Sequence, residues 1–114
     1  MRILALDELP LAPITAYDSH GATGLEWASG SGDAHVHTLR FAPGGAIGPH
    51  PTGFAQILVP IAGAGWVSGS DAVRRPIRVG QAALFERGEL HAKGSDTGMV
   101  ALMVQVSDLS AAAR

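Results

Sequence analysis

Apolar positions along the chain come in short bursts rather than at helical spacing, and glycine or proline closes most of them. With 15 glycines and 7 prolines in 114 residues, few uninterrupted stretches exceed ten residues. Short β-rich segments punctuated this way predict an antiparallel sandwich or barrel. Strands are expected near 2–6, 13–17, 23–28, 34–41, 54–60, 64–68, 72–79, 82–85, 89–94 and 98–106. The best helical candidate is the tail at 107–113, where a capping residue precedes a run of alanines.

Two of these strands are apolar on both faces. In Phe54-Ala-Gln-Ile-Leu-Val-Pro60, Phe54, Gln56 and Leu58 share one side, while Ile57 and Val59 share the other. Met99-Val-Ala-Leu-Met-Val104 follows the same rule. Such strands require cover on both sides, and the pattern supplies no helices for it. A homodimer is the expected source of the second cover.

Bulk properties narrow the partners. The length fits one domain, spanning 1–114. A net charge of -2 and a pI near 6.2 argue against a nucleic-acid binder. The one basic cluster, Arg74, Arg75 and Arg78, is broken by Pro76 and reads as a solvated edge strand. No apolar run approaches the roughly 20 residues that span a bilayer, and acidic Asp7 and Glu8 follow too closely on the N-terminus for a signal peptide. Cysteine is absent, so disulfides, thiolate metal sites and a cysteine nucleophile are excluded together. Cytoplasm is the default compartment.

Two glycine-punctuated frames carry the candidate chemistry. The first runs from Gly44 through His50, Thr52 and Gln56 to Gly63; the second runs from Gly80 through Glu86 and Gly88 to His91 and Ser95. Their spacing resembles the two motifs of the cupin superfamily: a glycine, five residues, His-x-His, a glutamate and a glycine, then a glycine, five residues, Pro-x-Gly, a histidine and an asparagine. The resemblance spans about residues 34–106, with N-terminal strands at about 1–30 packing on the barrel or on a partner subunit. It implies an all-β fold, a double-stranded β-helix of the jelly-roll kind.

In metal-binding cupins the two histidines and the glutamate of motif one and the histidine of motif two hold one divalent ion. Carried over, the resemblance implies His50, Gln56 and His91 as a reduced metal set (Zn, Fe, Mn, Ni or Cu), with Gln56 at the glutamate position and Thr52 at the second histidine. An amide oxygen lacks the carboxylate's charge and a protonated hydroxyl is a poor ligand, so weak occupancy is expected. His35 and His37 share the inward parity of Leu39 and Phe41, so either could approach the cavity or stay at the core edge. Glu86 and Glu89 read as turn residues, with a general base as the alternative, and Trp27 and Trp66 as core or sheet-face residues. No Gly-x-Ser-x-Gly elbow, Walker loop or dinucleotide-binding loop occurs, and the Gly63-Ala-Gly65 pair reads as turn glycines.

Two function classes stay open. One is a metal-dependent oxygenase- or isomerase-like enzyme acting on a small organic substrate. The other is a non-catalytic cupin that binds a small molecule and needs no metal.

Overall fold

The computed structural model describes residues 1–111. Ten strands follow in order: β1 (Arg2–Ala5), β2 (Ala12–Pro13), β3 (Thr23–Gly24), β4 (Ala28–Phe41), β5 (Ala46–Pro51), β6 (Ala55–Ser68), β7 (Arg75–Arg78), β8 (Gln81–Phe85), β9 (Leu90–Gly94) and β10 (Met99–Ala111). Every pairing is antiparallel. One face runs β1-β8-β6-β10-β4; the other is built from β5, β9, β6 and β7. The two faces share β6 and close over a core of Phe41, Leu58, Val67, Ile77, Ala83, Phe85, Met99, Ala101 and Met103.

The long strand β6 makes the corner. Up to Gly63 it pairs with β10, and from Ala64 onward with β7 and β9. Gly63 has φ +73, and an added Cβ there would overlap the Gly98 carbonyl oxygen. The register against β10 also slips between Val100 and Ala101. A positive φ and an irregular register are how a strand leaves one sheet for another. The Gly63-Ala-Gly65 pair is therefore not a turn but a bend inside one continuous strand.

Three further expectations change. The tail predicted as a helix at 107–113 continues as strand β10 through Ala111, because it pairs with Ala28–Ser31 of β4; positions 112–113 lie outside the described residues. The predicted strand at 13–17 shortens to β2 and is followed by a 3-10 turn at Ala16–Asp18. Strand β5 was not expected at all. It carries Pro49 and Pro51, which break a sheet interior, but β5 pairs only with β9 and so lies at an edge where proline is tolerated. The basic cluster behaves as expected: β7 pairs only with β6, and Pro76 is exposed on it.

The outer face of β4-β10-β6 stays partly bare. Register pairs Val104 with Ile57 and Val36, and Leu102 with Val59 and Thr38, so these side chains form one patch. Val36 is 67% exposed and Leu102 38%. Gly63→Ala is expected to destabilise the fold by about 2 kcal/mol or more, from strained φ and backbone overlap. Urea denaturation checks this; unchanged stability would show that β6 does not need the bend.

Candidate functional site

The two motif histidines meet. The register pairs His50 on β5 with His91 on β9, and their Nε2 atoms are 3.1 Å apart. A register shift between Ile47 and His50 admits an extra residue on β5 and sets the alignment of His50 with its partner. The rings meet edge to face at 4.6 Å, and Phe85 from β8 packs edge-on against His91 at 4.8 Å.

Hydrogen bonding fixes the proton positions. His50 Nδ1 lies 2.8 Å from the Gly48 carbonyl, which can only accept, so Nδ1 carries the proton. The other ring nitrogen, Nε2, faces His91 Nε2, and the two imidazoles share one hydrogen bond. His91 Nδ1 is buried and has no hydrogen-bond partner among the described residues. Burial, with the Lys93 charge and His50 adding to it, pushes the His91 imidazole down to about 3. It is neutral at physiological pH.

Gln56 is committed elsewhere. Its Oε1 accepts from Lys93 Nζ at 2.8 Å, and both residues are buried, Lys93 at 1% exposed. Lys93 follows His91 by two on β9 and so shares its inward face. The ammonium also lies 3.6 Å from Met103 Sδ and 5.3 Å from the Phe85 ring centroid. Burial pulls its pKa down to about 8, so it is still charged at neutral pH. The sequence reading missed Lys93, although period-two parity from His91 was the signal that could have found it.

Thr52 clamps the two motif loops. Its Oγ1 donates to the Glu86 carbonyl at 2.8 Å, its N–H donates to Glu89 O at 3.0 Å, and its carbonyl accepts from Gly88 N–H at 3.0 Å. The hydroxyl stands where a histidine ligand stands in the motif, but here it closes the barrel. Ser95 plays a matching part, donating to Ala64 O at 2.5 Å and accepting from Gly98 N–H at 2.8 Å. Glu89 is held by the Met1 amine and faces Glu86 N–H, which keeps it on the turn. Trp66 lies under the Arg74 guanidinium, 3.8 Å away.

His35 and His37 do take the inward parity. The register places Gln56, Gln105 and His35 in one row, and Leu58, Met103 and His37 in the next. Leu58 and Met103 belong to the core, so both rows face inward. Both histidines are nonetheless exposed, His37 contacting Gln105 Oε1 at 3.2 Å and His35 packing on Phe54 at 5.4 Å. Inward parity combined with exposure puts them at the open end of the β4-β10-β6 face, in and beside the row of Gln56.

A divalent ion fits this set poorly. Gln56 Oε1 is taken by a cation, Lys93 places a positive charge beside the remaining donors, and Thr52 is spent on the clamp. Among the described residues, no group of three or more His, Asp or Glu side chains could hold a metal ion. Nor do the hydrogen bonds of His50 or His91 join a serine or a carboxylate, as a hydrolytic triad would need.

No family model matches the chain, and no curated protein matches it. Solved structures do. A conserved protein of unknown function from Streptococcus pyogenes is similar at TM-score 0.62 and 18% identity, over 68% of this chain and 67% of that one. A cupin 2 conserved barrel domain protein from Salinispora arenicola is similar at TM-score 0.57 and 21% identity, over 70% and 68%. A conserved protein with a double-stranded β-helix domain from Klebsiella pneumoniae reaches TM-score 0.60 at 16% identity, over 75% of each chain. The fold is a cupin-type double-stranded β-helix. Among the described residues, no helix is long and apolar enough to cross a membrane.

The His91 environment makes a pH prediction. Unfolded, the imidazole titrates near 6.5; folded, near 3. Between those values the unfolded chain takes up a proton that the native site refuses, so stability falls as pH drops from about 6.5 toward 3. In His91→Gln this part of the fall disappears. Chemical denaturation of both proteins across that window checks it, and equal slopes would contradict the burial of a neutral His91.

Proposed function

We propose that this chain is a binding cupin: its barrel mouth takes up a small organic molecule without a resident divalent metal. The observation that supports this best is the Lys93 ammonium on Gln56 Oε1. A metal-binding cupin presents a carboxylate to a dication at that position. Here a neutral amide faces a monocation that the chain itself supplies. The amide and the lysine together form an exchange: the carboxylate's charge is gone, and so is the need for the ion it balances.

The enzyme reading has less support. Catalysis without a metal needs a nucleophile or an acid–base pair, and the most buried histidine is held neutral far below the pH at which it could shuttle protons. The polar group of His35, His37 and Gln105 suits reversible recognition of a small molecule.

Protein purified without a metal-affinity column is expected to carry divalent metal well below one equivalent, and to stay that way when zinc or nickel is added and dialysed. The Lys93→Met/Gln56→Glu double variant is expected to bind zinc at least tenfold more tightly, because the carboxylate returns and the cation leaves. Stoichiometric metal in the unmodified protein, lost in His50→Ala and His91→Ala, would contradict the reading.

The bare outer face supports a second copy as its cover, giving a homodimer. Val36, Leu102 and Val104 present an aliphatic surface that matches itself best. Light scattering is expected to give twice the chain mass, falling to the single-chain mass in Leu102→Asp. A monomeric unmodified protein at micromolar concentration would overturn this.

A further inference from the structure

We propose that the ligand of the mouth is a small monocarboxylate, whose carboxylate oxygen takes the place of the Met103 thioether on the Lys93 ammonium. This rests on the metal-free binding reading above and assigns it a ligand class.

Among the described residues, the buried Lys93 charge has no counter-charge. Its hydrogen-bond partners are the neutral Gln56 amide and the neutral Met103 sulfur. Among the described residues, the ion pairs are Met1 with Glu89, Arg75 with Asp71 and Arg87 with Asp108; none includes Lys93. An ammonium has three donors. Gln56 satisfies one at 2.8 Å, and a thioether at 3.6 Å is a weak acceptor for another. Burying an unpaired charge costs several kcal/mol, so the site gains by admitting an anion. The chain as a whole carries -2, so this positive interior is local.

The surroundings fit an anion of one charge. The inward rows above Lys93 hold His35, His37, Gln105 and Gln56, none of them acidic. The acids nearest in sequence on those strands are Asp33, whose backbone contacts Ser107 Oγ, and Asp108, which lies 3.9 Å from Arg87. A single ammonium neutralises a monoanion and leaves a phosphate dianion half compensated. Met103 is also the side chain best able to yield. It is unbranched and rotates readily, and at 6% exposure it shares the Lys93 ammonium with Gln56.

Methionine-methyl NMR on metal-free protein tests this, with sodium acetate, acetamide and sodium phosphate at matched ionic strength. Acetate is expected to shift the Met103 methyl saturably with one site, more strongly than phosphate, while acetamide leaves it in place. Lys93→Met is expected to weaken acetate binding at least tenfold. His37→Gln, at the exposed rim, keeps the fold and is expected to weaken it severalfold. An acetate response retained in Lys93→Met, or phosphate binding more tightly, would overturn the proposal. Acetamide binding as well as acetate overturns the carboxylate assignment and leaves the metal-free reading standing. Stoichiometric metal in the unmodified protein defeats that reading instead, whatever acetate does.

Discussion

A positive charge buried inside the barrel is the constraint around which this site is arranged. Lys93 brings an ammonium to the inner face of β9, and Gln56 on β6 meets it with an amide oxygen at 2.8 Å. An ion moved out of water at a cost of several kcal/mol needs hydrogen bonds and a counter-charge. Gln56 supplies the first and nothing described in the chain supplies the second. Burial, with the same charge adding to it, keeps His91 neutral. One lysine thereby sets the commitment of the glutamine and the sign of the field beside the histidine pair.

Much of the fold is legible in the spacing of glycines. Gly44, Gly63, Gly80 and Gly88 all have positive φ, so each frame position is a backbone requirement and not an ornament of the motif. The meeting of His50 and His91 is legible too, because both lie at fixed offsets from those glycines. Strand β5, which carries His50, escapes a reading based on propensity. Its Gly-Pro-His-Pro stretch suggests a loop, and only an edge position beside β9 lets it pair. The tail misleads in the opposite sense: its alanines favour a helix, yet pairing with β4 keeps the chain in strand through Ala111.

The ligand set was harder to read for a physical reason. Motif positions name which backbone sites face inward but not what each side chain bonds there. Thr52 occupies a ligand position and serves as a clamp between two loops. Gln56 occupies another and serves a lysine that no motif position names. A lysine two residues after a histidine reads as a solvated residue unless strand parity is carried forward from His91. Parity applied to β4 did place His35 and His37 inward, but whether inward means buried depends on how far the barrel extends, and here they rim its open end.

The central claim is that a lysine ammonium, not a metal, occupies the interior beside Gln56. A crystal structure of protein soaked in zinc, with anomalous data collected at the zinc edge, tests it most directly. Lys93 Nζ on Gln56 Oε1, with no anomalous peak between His50 and His91, is the expected result. A strong peak coordinated by His50, His91 and Gln56, with Lys93 swung away, would contradict it.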